Sequence, residues 1–275
     1  MWIGLVTLLV LAAVYGILES RWIRPVTYQV AIANLPQEFN GLSILHLSDL
    51  HGRVEIFSHR TFRQWADEAD MIAVTGDLYQ PGLGRTRLAA ELDRLRQDHT
   101  AFLVSGNHDY HHGRLFMDPL PTDHWLIDNQ GIALIRGEAR LWIAGLPDLV
   151  LGAPDWTKML SQIGEGPAIL LSHRPDAAIR PEAKRFQLVL SGHTHGGQIV
   201  FPLVGALLKH NHVGGGYVAG RHQVEQGPVL ITSRGLGTSE LPMRFLCRPE
   251  LVRVVLKSAD ANPKAVPVDL GQQEV

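Results

Sequence analysis

The sequence predicts an α/β domain with buried sheets, preceded by an N-terminal transmembrane helix. Short runs rich in Val, Ile and Leu alternate with segments of helical periodicity, as strands and helices do in an α/β fold. A polar turn follows each of five of these runs, and the chain opens with an apolar segment that carries no charge. The alternating runs and the polar turns predict the fold class, and the uncharged apolar segment predicts the membrane helix.

The composition is that of an ordinary globular protein with a hydrophobic core: 275 residues, of which 45% are hydrophobic and 19% are charged. The net charge of -2 argues against bulk electrostatic binding to nucleic acid. The single cysteine, Cys247, excludes an intramolecular disulfide and a thiolate zinc cluster, so nitrogen and oxygen atoms would hold any metal ion. Fourteen histidines is a high number for this length.

Residues 2–18 are apolar and uncharged, and Trp2 and Trp22 bracket them as aromatic residues bracket a membrane span. A helix between these tryptophans is about 30 Å long, which matches a hydrocarbon core. A cleaved signal peptide is the alternative, but it usually has a basic start and a small-residue cleavage site, and neither is present. A buried core helix is a third reading, which the uniform apolar surface disfavours.

Arg21 and Arg24 follow the apolar segment, and the positive-inside rule puts them, with the rest of the chain, on the cytoplasmic side. We therefore expect a single-pass protein of the inner (cytoplasmic) membrane. The anchor is predicted at 1–24, a globular domain at 25–257 and a flexible tail at 258–275, where Pro and polar residues dominate.

The elements of the globular domain follow from hydrophobic periodicity. Two helices have apolar positions at helical spacing and charges on the other face, in HRTFRQWADEA and RLAAELDRLRQ. Strands are predicted in VTYQVAIANL, LSILHL, MIAVT, AFLVS, ARLWIAGL, PAILL, FQLVL, PVLITS and ELVRVVLK.

The five polar turns are SDLHG, GDLYQPG, GNHDYHH, SHRPD and SGHTHGG, and each follows the carboxyl end of a predicted strand. Ligand sites of α/β sheets gather at these ends. In the last turn, glycines give the backbone the freedom to bring the His193 and His195 imidazoles to one metal ion. Each polar residue alone would be an ordinary turn, cap or core residue, but together they predict one site. The candidates are Asp49, His51, Asp77, Asn107, His108, Asp109, His173, His193 and His195.

In that order, the motifs DLH, GD, GNHD, SH and GHTH resemble the calcineurin-like metallophosphoesterases, over residues 43–195. The longer forms SHRPD and GHTHGGQ, with the later SRGLGTS, are similar to the membrane-anchored bacterial phosphodiesterase branch, some relatives of which hydrolyse UDP-2,3-diacylglucosamine in lipid A synthesis. The resemblance implies a four-layer sandwich, in which two β-sheets are flanked by helices and two metal ions lie at the strand ends. The resemblance further implies that residues 25–257 form the catalytic domain.

The resemblance also implies a role for each candidate ligand. Asp49, His51 and His195 would hold the first metal ion, Asn107, His173 and His193 the second, and Asp77 would bridge both. An anionic bridge offsets the repulsion between two close cations, which agrees with that role. Imidazole and carboxylate ligands without thiolate suit Mn, Fe, Zn or Co, and we expect manganese.

Two such ions would turn bridging water into hydroxide near neutral pH, and this hydroxide would attack phosphorus opposite the leaving oxygen. His108, next to Asn107, is the predicted proton donor, and Asp109 is predicted to orient its ring or raise its pKa. Arg174 and Arg234 are candidate phosphate contacts, and pairing with a surface carboxylate is an equal alternative for Arg174. Of five further histidines, His46 is expected to be a core residue, and most of His111, His112, His210 and His212 are expected to be solvated or to lie outside the ligand shell.

The segment after GGQ is apolar, and we predict a buried strand at 199–201 and an exposed apolar lip beyond it, formed by Leu203, Val204, Leu207 and Leu208. Such a lip suits an acyl chain or the bilayer surface. With a membrane anchor, the leading substrate is a lipid-linked phosphodiester or pyrophosphate. The alternatives are a phosphodiesterase of soluble nucleotides, a catalytically silent metal-binding scaffold of the same fold, and a metal sensor or store.

Overall fold

The computed structural model describes residues 2–79, 85–115, 125–206 and 216–259. The helices are α1 (Trp2–Glu19), α2 (Arg60–Asp67), α3 (Arg85–Asp98) and α4 (Trp156–Leu160). The strands are β1 (Arg24–Ile32), β2 (Ser43–Leu47), β3 (Met71–Thr75), β4 (Ala101–Val104), β5 (Tyr110–His111), β6 (Arg114–Leu115), β7 (Gln130–Arg136), β8 (Ala139–Leu146), β9 (Ala168–Ser172), β10 (Leu188–Ser191), β11 (Val200–Phe201), β12 (Gly205–Ala206), β13 (Gly220–Gln223), β14 (Val229–Thr232) and β15 (Glu250–Ser258).

Two central sheets carry the domain. One has five strands in the order β1-β15-β2-β3-β4, and the other has six in the order β13-β14-β10-β9-β8-β7. Strands β2, β3 and β4 are parallel, and so are β8, β9, β10 and β14. The carboxyl ends of these parallel strands carry the five polar turns of the sequence, as predicted.

The predicted four-layer sandwich is confirmed, because alternate side chains of a strand pack into two different cores, one on each face of its sheet. In β2, Ile44 packs in the core between the two sheets, whereas Leu45 packs on the other face with Phe62 of α2 and Leu88 of α3. On the far side of the six-stranded sheet, Met159 of α4 belongs to a third core. Both sheets are therefore covered on both faces, which explains why their parallel strands are apolar throughout.

Two predicted strand boundaries are wrong. Strand β1 ends at Ile32, before the predicted ANL, because Asn34 adopts a left-handed conformation with φ 55° in the turn that follows. The buried strand predicted at 199–201 is instead a two-residue strand, β11, paired antiparallel with β12, and Phe201 is exposed. In the lip, Leu203 and Val204 are exposed as predicted. Residues 207, 208, 210 and 212, and the predicted tail from 260, lie outside the described residues.

Helix α1 covers the predicted apolar segment and ends at Glu19. Its length and composition would let it cross a membrane, and only 11% of it is buried in protein, unlike a core helix. A signal sequence would meet the same criteria. The last turn of α1 touches the globular domain, where the Gly16 carbonyl accepts a hydrogen bond of 2.9 Å from the backbone N–H of Arg244.

Candidate metal centre

The polar turns at the carboxyl ends of one sheet lie against the polar turns at the carboxyl ends of the other. The His173 ring, after β9, lies against the end of β3, with its Nδ1 2.7 Å from the carbonyl oxygen of Thr75. The backbone N–H of His193, after β10, donates to both carboxylate oxygens of Asp49 at 3.1 Å. These bonds join residues of one sheet to residues of the other, so the packing of the sheets builds the site.

Left-handed backbone conformation is concentrated at this edge. Five of the seven predicted metal ligands have positive φ, namely Asp49 (53°), His51 (45°), Asp77 (54°), His193 (70°) and His195 (52°). Residues other than glycine rarely adopt this region, and each instance costs on the order of 1–3 kcal/mol. The surrounding contacts must offset that cost, and the strained turns aim their side chains at a common point.

Two glycines allow the turns to approach this closely. A Cβ atom at Gly192 would overlap Ser48 Oγ and Asp49 Oδ2, and a Cβ atom at Gly106 would overlap the backbone and side chain of Asp77. The glycines of SGHTHGG and GNHD are therefore required by close packing of one turn on another.

The first group of potential ligands consists of Asp49, His51 and His195, whose ligand atoms lie within 4.8 Å of one another. The Nε2 atoms of the two histidines are 3.1 Å apart, and His195 Nε2 lies 3.4 Å from Asp49 Oδ1. Burial lowers the pKa of His51 to about 4 and that of His195 well below its ordinary value. Both imidazoles are thus neutral at pH 7, as metal ligation requires.

The second group consists of Asp77, His173 and His193, again within 4.8 Å. The Thr75 carbonyl can only accept, so His173 Nδ1 carries the proton and His173 Nε2 faces the site. This Nε2 atom lies 3.2 Å from Asp77 Oδ2 and 3.1 Å from Asn107 Oδ1. Burial opposes protonation of His173, but the Asp77 carboxylate raises its pKa to about 10, so this Nε2 holds a proton that a divalent cation would replace.

Asp77 connects the two groups. Its Oδ2 lies 3.2 Å from His173 Nε2 and 3.7 Å from His51 Nε2, while its Oδ1 accepts the backbone N–H of His108 at 2.7 Å. Burial opposes ionisation of Asp77, but the neighbouring imidazoles, His173 first, hold its pKa well below the usual range. The carboxylate is therefore ionised between two sets of imidazoles.

The chemistry of both groups fits divalent metal ions. All the donors are imidazole nitrogen and carboxylate or amide oxygen, and the groups share a buried anionic carboxylate. Mn, Fe, Zn and Co accept such mixed ligands.

The comparison with protein families identifies the chain. The family described as calcineurin-like phosphoesterase matches residues 42–197, more than half of the sequence. The chain belongs to the calcineurin-like phosphoesterases. It is therefore a phosphoester hydrolase of a family that uses divalent metal ions.

The sequence matches to related proteins extend over most of this calcineurin-like phosphoesterase. It is 31% identical over 258 residues to the uncharacterized metallophosphoesterase YkuE of Bacillus subtilis, and the match covers 88% of each protein. It is 32% identical over 276 residues to a transmembrane protein with metallophosphoesterase domain of Danio rerio, covering 90% of this chain and 60% of that relative. The chain thus spans about three fifths of the latter protein.

Among solved structures, the phosphoesterase is similar to TT1561 of Thermus thermophilus, with a TM-score of 0.46 and 17% identity over 72% of this chain and 91% of that one. Neither named relative specifies the UDP-2,3-diacylglucosamine hydrolase branch, which stays a prediction.

His108 of the phosphoesterase lies at the edge of the two groups and is partly exposed. Its ring stands edge-on to the His51 ring, with centroids 4.8 Å apart. The prediction that Asp109 orients this ring is wrong. Both Asp109 oxygens accept backbone N–H groups, from Asp77 and Leu78 at 2.8 Å and from Gly106 at 2.9 Å. Asp109 therefore braces the turn that presents Asp77.

Arg174 is buried at the edge of the second group. Its Nε donates to Asp148 Oδ2 at 2.6 Å, and its terminal nitrogen Nη1 lies 2.8 Å from His193 Nε2. The alternative that Arg174 pairs with a surface carboxylate is wrong, because Asp148 is fully buried. The sequence signal for Asp148 was weak but present, since it follows the end of β8 as the other site residues follow their strands.

Arg234 lies beside the first group. Its side chain packs against Gly196, next to His195, and with His222 and Leu246 it lines a cavity of about 320 Å³. Of the remaining histidines, His46 is buried with its Nε2 2.8 Å from Thr75 Oγ1, as predicted for a core residue. His111 and His112 are exposed, as predicted.

Sequence reasoning missed Arg244, which is fully buried beneath the first group. Its guanidinium donates to the backbone carbonyls of Gly237 at 2.6 Å, Arg234 at 2.7 Å and His195 at 3.3 Å. It also lies 3.4 Å from His195 Nδ1. An arginine within the apolar stretch LPMRFLC was the available signal. Arg244 joins the SRGLGTS loop to the turn that carries His195.

We expect Arg244→Met to lower the free energy of unfolding by about 3 kcal/mol or more, because several buried carbonyls lose their donor. For a chain of this size that is a fall in Tm of about 10 °C. Affinity for the first metal ion should fall about 10–100-fold, since the support of a ligand is lost. Thermal melts and Mn titrations check this against Arg94→Met, in which the replaced side chain is 72% exposed. Equal behaviour of the two variants would contradict the role of Arg244.

Proposed function

We propose that this phosphoesterase uses two divalent metal ions to hydrolyse a phosphodiester or pyrophosphate in a lipid-linked substrate at the membrane. The observation that carries the proposal is the position of the Asp77 carboxylate, which lies 3.2 Å from an imidazole of one ligand group and 3.7 Å from an imidazole of the other. A single buried anion in contact with both groups is what two close cations require.

In this proposal, Asp49, His51 and His195 would hold one ion, Asn107, His173 and His193 would hold the other, and Asp77 would be shared by both. When bound, such a pair of ions lowers the pKa of water and neutralises charge on the phosphate oxygens. Manganese is the ion we propose, on the same ligand chemistry that also admits Fe, Zn and Co.

The chain supplies the proton for the leaving group. His108 belongs to neither ligand group, its backbone is fixed by the hydrogen bond to Asp77, and its ring lies beside that of His51. We propose that its imidazolium donates a proton to the leaving oxygen. Asp109 affects this proton transfer only indirectly, because its carboxylate holds the backbone of Asp77, Leu78 and Gly106.

The lipid-linked substrate is supported by the cavity beside Arg234. Its walls are about equally polar and apolar, with Val200, Val218 and Leu246 beside polar groups, and Gly196 joins it to the turn of a ligand histidine. A phosphate bound between the ligand groups would have this cavity next to it, with apolar side chains on part of its wall and the Arg234 cation at its border. This arrangement suits an ester or pyrophosphate that carries both a second charge and an acyl group.

Membrane attachment is proposed through α1, with an anchor at 1–24, a catalytic domain at 25–257 facing the cytoplasm, and a tail at 258–275. Helix α1 has the length and composition of a span, and Arg21 and Arg24 follow it. A relative from Danio rerio is named as a transmembrane protein.

The test is turnover by the full chain in detergent, first stripped with EDTA and then given Mn. We expect no hydrolysis of an aryl phosphodiester in EDTA and full recovery with Mn. Tight Mn binding without turnover would favour the silent scaffold or the metal sensor.

The substrate class needs a comparison of UDP-2,3-diacylglucosamine with a soluble nucleotide diester under the same conditions. We expect faster cleavage of the lipid pyrophosphate. Equal rates would remove the lipid-linked part of the proposal and leave the alternative of soluble nucleotides.

A further inference from the structure

We propose that the hairpin β11–β12 is a second membrane contact, which dips into the lipid interface beside α1 and holds the catalytic edge of the domain against the bilayer. The inference rests on the membrane anchor proposed above and adds a surface to it. The occupant of that surface is the phospholipid bilayer itself.

The tip of the hairpin exposes apolar side chains at a conformational cost. Leu203 is 93% exposed and Val204 is 73% exposed. Leu203 also has a φ of 70°, in the left-handed region that disfavours branched, bulky residues. A glycine or asparagine would relieve both costs in water. A leucine in this position is explained if its side chain lies in an apolar medium.

The hairpin is continuous with the proposed anchor. The Tyr15 ring of α1 stands edge-on to the Phe245 ring with centroids 5.5 Å apart, and Phe245 is in turn 5.5 Å from Phe201 of β11. The hydrogen bond from the Arg244 N–H to the Gly16 carbonyl fixes the same junction. The rings join the last turn of α1 to the strand that bears the exposed tip.

The junction also carries groups that prefer a membrane interface. Trp22, just after α1, is exposed, and the Arg248 guanidinium stacks on its ring 4.0 Å from the centroid. Tryptophan and arginine together are typical of the headgroup region. Leu241 and Leu246 are exposed near this junction and extend the apolar surface. The proposed anchor helix, the exposed Trp22 and the apolar tip together favour a bilayer over a second copy of the chain.

This surface lies next to the cavity beside Arg234. Val200 and Ala206, one in each strand of the hairpin, line that cavity together with the exposed Leu246. A phosphate ester held in the bilayer would therefore reach the ligand groups along the hairpin without first leaving the membrane surface.

The position of the tip is tested with the full chain in phosphatidylcholine vesicles. A fluorophore on Leu203→Cys is expected to be quenched by spin-labelled lipid and shielded from aqueous iodide. The control is Ile135→Cys in β7, where the native side chain is 63% exposed at the edge of the six-stranded sheet. Its label should show the opposite pattern. The native Cys247 is 1% exposed and common to both variants. Equal iodide quenching at both positions would overturn the inference.

The Leu203→Asn variant tests the consequence for turnover. Asparagine tolerates the left-handed backbone, so Tm is expected to stay the same or rise. Turnover of a soluble aryl phosphodiester should stay unchanged, whereas turnover of a vesicle-borne lipid phosphoester should fall several-fold. Equal losses on both substrates would show that the hairpin acts in folding or catalysis and would overturn the inference.

An alkaline carbonate wash separates this inference from the anchor on which it rests. If the chain stays in the vesicles while the label at 203 remains in water, the anchor holds and the hairpin contact is refuted. If the wash releases the chain, the proposed anchor is refuted as well.

Discussion

The Asp77→Asn variant is expected to lose about a thousandfold or more of turnover, or about 4 kcal/mol of transition-state stabilisation, together with at least one of the two metal ions. Two divalent ions about 4 Å apart repel each other by about 17 kcal/mol at an effective dielectric constant of 20. The Asp77 carboxylate is the anion that contacts both ligand groups. An amide keeps its shape and removes its charge, so the repulsion is no longer offset.

Metal content by mass spectrometry and turnover of an aryl phosphodiester measure this effect together. The matched control is Asp98→Asn, which makes the same chemical change at an exposed position at the end of α3. We expect the control to retain two ions and full activity. If Asp77→Asn also bound two ions and turned over normally, Asp77 would not bridge them, and the dinuclear proposal would fail.

The His108→Asn variant is expected to lose about 10²–10⁴-fold of turnover while keeping both metal ions, because general acid catalysis contributes a factor of that size. The loss should depend on the leaving group. An alkoxide needs the proton and should show the full effect, whereas p-nitrophenolate leaves without it and should show little. This contrast distinguishes a proton donor from a residue that only shapes the site.

The control for this variant is His112→Asn, an exposed histidine in the turn after the same motif. It should leave turnover of both substrates unchanged. Metal loss in His108→Asn would make His108 a ligand, and equal losses with both leaving groups would assign it a positioning role. Either result would remove it as the proton donor.

The fold and the set of polar residues at the site could be predicted because they depend on local pattern, whereas only the family resemblance implied how these residues divide into two ligand groups. Runs such as SILHL and MIAVT are apolar on both faces, and the structure buries every residue of both. The polar turns follow these strands directly, so strand direction alone brings them to one edge. The residues that gather there are those singled out in the sequence, including Asn107 at 3.1 Å from His173.

Other features depend on contacts that no local pattern encodes. Asp109 follows His108 in sequence, but its carboxylate turns to the backbone of residues about thirty positions earlier, as with Asp77 at a separation of 32. The partner of Arg174 is 26 residues away and buried. Arg244 reaches a histidine 49 residues earlier. The predicted strand at 199–201 became an exposed hairpin because its surroundings, not its hydrophobicity, decide burial.

The amino-acid sequence by itself determined the α/β class, the apolar N-terminal helix and the identity of the polar turns, since periodicity and turn chemistry act between near neighbours. Only the tertiary structure decided which nitrogen faces which oxygen, which arginine is buried and where the apolar hairpin lies. The reason is distance along the chain. His51 and His195 are 144 residues apart and come within 3.1 Å only when the two sheets pack face to face and bring their polar turns together at one end.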